Sequence, residues 1–365
     1  MRQSFRPLST VLCISCAVLL LALPALAGED DGIPRMPNGK PDLSGTYDAG
    51  TVTPVDRPPQ FGNNLYMTPE EAKALEEETA RMWREADENK NAEGPREAPV
   101  AGGDGDNRFG GGGVGGYNTF WIDPGSEAVM VDGKFRTSII YEPENGRRPP
   151  MTPAGMKKVM TNFASFIHDN DGTASWLDHD GPGPFDGPES LALAERCLLG
   201  FSGGPPMLPS LYNNYLRVVQ TDTHVMIMSE MVHDVRAVRI DDDHDPSDIK
   251  KWLGDGIAHW DGDTLVVETR NFRDETGLPG GGETMFVEER FTRLENGDLL
   301  YHFRVEDPSA WTAPWAGEYT WTSRPDSKVY EYACHEGNYA MGNVLRGARL
   351  LESEYDEPPK KTDSK

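Results

Sequence analysis

The sequence predicts a mainly β protein, an antiparallel up-and-down β-barrel of the lipocalin type, with a β-sandwich as the alternative. Three observations carry that prediction. From residue 216 onward, short segments alternate apolar and polar residues with a period of two. Compact turn signals separate them, such as Asp261-Gly262-Asp263 and Glu295-Asn296-Gly297-Asp298. Helical periodicity is limited to one or two short segments nearer the start. A closed barrel suits sequential hairpins because closure leaves no exposed strand edge.

The chain opens "MRQSFRPLSTVLCISCAVLLLALPALAGED". Arg2 and Arg6 precede an apolar run from Val11 to Leu23, and Ala25-Leu26-Ala27 forms an A-x-A site. This predicts a signal peptide over 1–27, cleaved after Ala27, and a periplasmic or secreted protein. No later stretch is long enough to cross a bilayer as a helix. Loss of Arg2 and Arg6 carries the formal charge from −25 to −27. So acidic a surface argues against nucleic acid and anionic membranes as partners.

Residues 28–134 read as an N-terminal extension. It holds a short strand-like piece in "DLSGTYD", a helix over 69–88 and a Gly-rich loop ending "FGGGGVGG". Thr68 caps the helix, Pro69 suits its first turn, and Glu71 completes a capping box. "YNTFWID", "EAVMVDG" and "KFRTSIIYEP" read as strands, with Asp132-Gly133 as a hairpin turn.

The barrel domain is predicted over 135–350, with a second helix from Pro153 to Phe166. Its strands are "LRVVQ", "HVMIMSE", "MVHDVRAVRI", "GIAHW", "TLVVETRNF", "TMFVEERFTRL", "LLYHFRVED", "AGEYTWTS" and "KVYEYAC". Residues 351–365 read as a disordered tail of mixed acidic and basic residues. No internal repeat of fixed period occurs.

Cys197 and Cys334 survive processing. In an oxidising compartment such a pair is most simply a disulfide, with two buried thiols as the alternative. Closing 137 residues would stabilise by roughly 4–5 kcal/mol on chain-entropy grounds.

Taken in order, "ERCLLGFSGGPPMLPSLYNNYLRVVQT", "EMVHDVR", "HWDGDTLVVETRNF", "ERFTR", "YHFRVEDPSAWTAPW" and "YEYACHEGNYAMGNVLRGAR" resemble a family of exported bacterial proteins with no established function. "RTSIIYEPENGRRPPMT" is similar to that family's upstream motif. The resemblance spans roughly Phe135 to Arg349. It implies that both cysteines and the two histidine motifs belong to the family pattern. "IDDDHDPSD" departs from it, where a Gly-Arg-containing loop is expected.

Two motifs mislead. Gly111, Gly113 and Gly116 match G-x-G-x-x-G without a preceding strand or following helix. "GFSGG" matches a nucleophile elbow at Ser202, but Pro205 and Pro206 obstruct the helix that an elbow enters. The acidic loop from His168 to Glu189 lacks the order of an EF-hand and reads as solvated.

Polar residues on apolar strand faces carry more information. Alternation puts Met231, His233 and Val235 on one face, with Asp234 and Arg236 on the other. Glu289 lies between Val287 and Phe291, and Asp307 ends the face of Tyr301, Phe303 and Val305. His335 shares a face with Ala333, and Glu336 with Cys334. If these faces share one interior, His233, Glu289, Asp307 and His335 are candidate catalytic groups. A desolvated carboxylate there has a raised pKa suited to proton transfer. The competing reading is a buried structural ion pair.

Asn213, Asn214, Arg236, Trp311, Trp315 and Glu336 are candidate ligand contacts at an aromatic, amide-bearing mouth. Packing against a barrel end is the alternative for the tryptophans. No cofactor is predicted, and a divalent metal gathered by His233, His259 and His335 stays a minor alternative. The functional expectation is an exported barrel binding a small, partly apolar or glycosidic ligand in an interior cavity. The alternative is a cofactor-independent lyase, isomerase or hydrolase using His233 with Glu289 or Asp307. An envelope-assembly role is a third class.

Overall fold

The computed structural model describes residues 32–90, 122–168 and 172–355. The predicted signal peptide, the Gly-rich loop, most of "YNTFWID" and residues 356–365 lie outside the described residues. In chain order the elements are β1 (Gly45–Asp48), β2 (Tyr66–Met67), α1 (Pro69–Lys90), β3 (Met130–Val131), β4 (Lys134–Arg136), β5 (Ile140–Glu142), α2 (Pro153–Asn162) and α3 (Ala164–Ile167). There follow β6 (Tyr215–Gln220), β7 (His224–Ser229), β8 (Val235–Ile240), β9 (Asp255–Asp261), β10 (Thr264–Arg270), β11 (Phe286–Arg293), β12 (Leu299–Glu306), β13 (Trp315–Ser323) and α4 (Ala340–Glu354).

Nine strands, β1 with β6 to β13, close into a barrel. β1 completes the ring by pairing antiparallel with β6 on one side and with β13 on the other. The predicted boundary at 135 is therefore corrected, because a strand of the N-terminal segment is a barrel stave. β5 extends the sheet at the opposite end of β13, through Ala316↔Glu142 and Gly317↔Ile140. β2, β3 and β4 form a small separate sheet. The predicted capping box is present on α1, where Glu71 N donates to Thr68 Oγ1 and Thr68 N to Glu71 Oε2.

The barrel is mixed, which corrects the strictly antiparallel expectation. β8 and β9 run parallel, in register over only Arg239↔Ile257 and Ile240↔Ala258. A parallel pair cannot be joined by a tight hairpin, so the chain spends residues 241–254 on the crossover. Where β9 instead turns back into β10, the loop is short and Gly262 adopts φ 61°. That left-handed geometry is open to glycine at little cost.

Alternation along β11, β12 and β13 sends Val287, Phe291, Tyr301, Phe303, Trp315, Tyr319 and Trp321 into the lumen, all essentially inaccessible to solvent. Their rings touch one another, with Tyr301 stacked on Trp321 at 4.7 Å and Phe303 edge-on to Trp315 at 5.6 Å. Burying each such side chain contributes about 1.5–3 kcal/mol. Met207, from the loop before β6, enters between two lumen tyrosines. Its N–H donates to Tyr301 Oη at 2.8 Å, and its carbonyl accepts from Tyr319 Oη at 2.9 Å. The lumen is thus packed with aromatic rings.

Two predicted strands are corrected. "KVYEYAC" is irregular, and its backbone is tied by other means: Tyr330 N donates to Glu230 Oε2, and Cys334 is bonded to Cys197. "MVHDVRAVRI" becomes strand only at Val235, because Val232 and His233 adopt φ 58° and 48° in a turn. Beyond it, residues 340–354 form α4, which the sequence reading divided between the barrel and a disordered tail. Ala348 and Leu351 of this helix pack on Ala174, Trp176 and Phe185. Trp176 Nε1 donates to Glu352 at 3.0 Å.

A candidate ligand site at the parallel seam

Because the β8–β9 ladder is only two pairs long, the barrel wall is open beside it. A cleft of about 490 Å³ lies there, walled by Val232–Val238, Lys251–Gly256 and Cys197–Leu199. His233 and Arg236, both singled out from sequence, line it together with Asp234, which was not.

Asp234 sits under the "GFSGG" loop. It is 9 % exposed, and its Oδ2 accepts from Gly200 N at 2.7 Å. A Cβ on Gly203 would lie 2.4 Å from the same oxygen, so only glycine allows this close approach of backbone to carboxylate. Among the described residues no donor reaches its Oδ1, and no lysine or arginine pairs with it. Burial pushes the carboxyl up to about 6, against the opposing pull of the Gly200 N–H and of His233. Ser202, the elbow-like serine, is buried with its Oγ 3.0 Å from Ser229 Oγ.

Arg236 forms the inner floor of the cleft, with its charge already matched. Its Nη1 donates to Glu289 Oε1 at 2.9 Å and its Nη2 to Oε2, while Tyr301 Oη donates to Oε1 at 2.8 Å. Thr269 Oγ1 lies 3.5 Å from Nη2. Both charged side chains are sealed from water. Desolvation and the Glu289 charge push the Tyr301 hydroxyl well above its ordinary value, so it stays a neutral donor.

On the opposite wall, Asp255 anchors the crossover. It accepts from Arg239 Nη1 at 3.2 Å, Lys251 Nζ at 2.7 Å and Asp245 N at 2.9 Å, with His244 Nδ1 at 3.1 Å. Burial alone would raise the carboxyl's pKa, but these bonds outweigh it and hold the carboxyl well below the usual range. Through His244 and Asp245 the "IDDDHDPSD" segment is tied to Asp255, itself a residue of that wall.

The remaining predicted residues do not converge on one interior site. His233 is exposed, correcting its assignment to an inward face, and its Nδ1 lies 3.2 Å from the Tyr332 carbonyl. Glu289 does point inward, locked to Arg236. Asp307 is buried and saturated: Oδ2 accepts from Gly282 N, and Oδ1 from Thr284 Oγ1, Ser309 N and Ser309 Oγ. His335 and Glu336 are exposed in the segment after Cys334 and line no part of the cleft.

Trp311 and Trp315 are core residues in edge-on contact at 5.7 Å, correcting their placement at an open mouth. Asn214 is buried, accepting from Ser210 N and donating to Asp123 O and Ser210 O. Asn213 donates to Glu230 Oε1 at 2.6 Å. Both asparagines shape the loop before β6. The cysteines are joined as Cys197–Cys334, with Cα atoms 5.8 Å apart. Among the described residues no group of three or more His, Cys, Asp and Glu is placed to hold a metal ion, and no helix is long and apolar enough to span a membrane.

Taking the inward face from Met231, across the left-handed Val232 and His233, conceals Asp234. The face of β8 is fixed by its far end, where Val238 and Ile240 are buried and Ala237 is exposed. Counting back from them puts Arg236 and Asp234 inside. No family model, curated protein or solved structure matches the chain.

Proposed function

We propose that the chain is an exported barrel protein, of the bacterial family its motifs resemble, that binds a small, partly apolar ligand in the seam cleft. The ligand's hydrogen-bond donor meets Asp234. The observation that carries this reading is the state of that carboxylate. It is nine-tenths buried, holds one backbone hydrogen bond, has no lysine or arginine partner among the described residues and borders a cleft of ligand size. A buried acid left so incompletely paired costs stability, and a bound donor offsets that cost. Leu198, Leu199, Val232, Trp252 and Leu253 supply apolar walls. The disulfide supports an oxidising compartment.

This moves the binding site from the lumen to the seam. Amines and the hydroxyls of polyols or sugars are the donor classes to screen. Thermal-shift measurements at pH 7.5 on wild type and Asp234→Asn test the proposal. A donor-bearing compound is expected to raise Tm in wild type and not in the variant. Equal shifts in both proteins, or shifts from anions alone, would overturn it.

A second reading, acid–base turnover, finds support in the same carboxyl, which exchanges a proton near pH 6. It requires product formation from a bound compound, abolished in Asp234→Asn. Binding without turnover leaves the first reading standing.

A further inference from the structure

The wall between the cleft and the surface continues into an apolar patch. Leu198 and Leu199 line the cleft, and Leu199 also borders a shallow depression with Gly200, Phe201 and Phe163. Gly200 is the residue whose N–H holds Asp234, so Phe201 stands one residue from the carboxylate's anchor. Phe201 is 47 % exposed and lies 6.3 Å from Phe166, itself 52 % exposed and 6.3 Å from Phe163. On α2, Met160 and Met156 add two further exposed apolar side chains at i, i+4 spacing. Groups at this spacing share one helix face, and clustered exposed apolar side chains mark contact sites.

Resting on the proposed binding role of Asp234, the geometry points to a specific ligand class: an amphiphilic amine. Its ammonium pairs with Asp234 in the cleft, and its apolar chain passes Leu199 and lies along Phe201 and Phe166. Charge complementarity selects the head. Every other charged side chain lining the cleft already has an opposite partner or, as with His233, sits exposed at its edge. Arg236 is held by Glu289, and Lys251 and Asp255 by each other. Among the described residues lining the cleft, Asp234 is the buried charged one without an ion pair, and an ammonium supplies it. Continuity between cleft and patch selects the tail, since Leu199 borders both the cleft and the depression that holds Phe201 and Phe163.

The test is calorimetric titration of wild type, Asp234→Asn and the double variant Phe166→Ser/Phe201→Ser with n-butylamine, n-hexylamine and n-octylamine, and with n-octanoate as control. All concentrations stay below micelle formation. In wild type, affinity is expected to rise with each methylene by up to roughly fourfold, with octanoate not binding. The double variant should keep butylamine binding and lose most of the chain-length dependence. Asp234→Asn should lose all amine binding.

A chain-length dependence that survives in the double variant overturns the tail assignment, and octanoate binding as tightly as octylamine overturns the head. If polyols bind through Asp234 and amines do not, the amphiphile is wrong while the seam site stands. If nothing binds through Asp234, both fall. Sedimentation of the double variant separates a last possibility: a wild-type dimer dissolved by these substitutions, with no effect on amine affinity, makes the patch a self-association surface and overturns the proposal. Both substitutions lie on exposed side chains, so folding is expected to survive them.

Discussion

Asp234 and Arg236 stand two residues apart on the same inward side of the chain entering β8, yet among the described residues only Arg236 is closed in an ion pair. Its guanidinium is closed on Glu289 across the lumen, whereas the Asp234 carboxylate takes a single backbone hydrogen bond from Gly200. The first arrangement is a finished structural pair. The second is an acid held in a partly apolar pocket with room beside it, and it is where stability and binding pull in opposite directions.

The pH dependence of stability reads out that tension. The folded-state pKa of Asp234, about 6, lies above its value of 3.8 in an unfolded chain. The folded protein therefore binds the proton more tightly. Its contribution is fully present below pH 3.8 and is lost as pH rises through 6. On the linkage relation this amounts to about 2–3 kcal/mol. Asp234→Asn should remove that component from chemical-denaturation curves taken between pH 4 and 7.5, and should be the more stable protein at pH 7.5. A variant equally or less stable there would show the carboxylate to be structural.

Breaking the lumen pair should be costly. Glu289→Gln leaves a buried guanidinium without its counter-charge, and Arg236→Met leaves a buried carboxylate. Each is expected to destabilise by about 3–5 kcal/mol. Replacing both by apolar residues of similar volume should cost less than either single change. Urea denaturation of the two singles and the double gives the coupling, and strictly additive losses would contradict a paired role.

The two histidines of the sequence motifs should be dispensable to the fold. His233 and His335 are exposed, so His233→Ala and His335→Ala are each expected to shift stability by within about 0.5 kcal/mol. Because His233 borders the cleft, its replacement should also alter ligand affinity, while His335→Ala should leave affinity unchanged. Titration of both variants with a ligand found by thermal shift checks this.

The disulfide ties the cleft wall at Cys197 to the segment before α4. Intact mass should rise by two hydrogens on reduction. Cys197→Ser should lower stability by up to roughly 4–5 kcal/mol. The separate expectation is local: hydrogen exchange in 328–339 should accelerate in the variant more than exchange in β11 or β12. Uniform acceleration would mean the bridge acts only through the unfolded chain.

By itself the sequence determined the strand pattern and most of the lumen. Period-two alternation is a local property, so Val287, Glu289 and Phe291, or Tyr301, Phe303 and Val305, could be assigned to one face without knowing their neighbours. The cysteine pair followed from count and the inferred compartment. Only the tertiary structure decided the seam, the short parallel ladder between β8 and β9, because strand direction depends on where a crossover lands. It also decided which way His233 and Asp234 face. Two left-handed residues, Val232 and His233, reset the alternation just before β8, and a one-residue shift moves every side chain to the opposite face. The unpaired state of Asp234 is likewise a fact about space, since no local pattern reveals that no lysine or arginine among the described residues folds back to meet it.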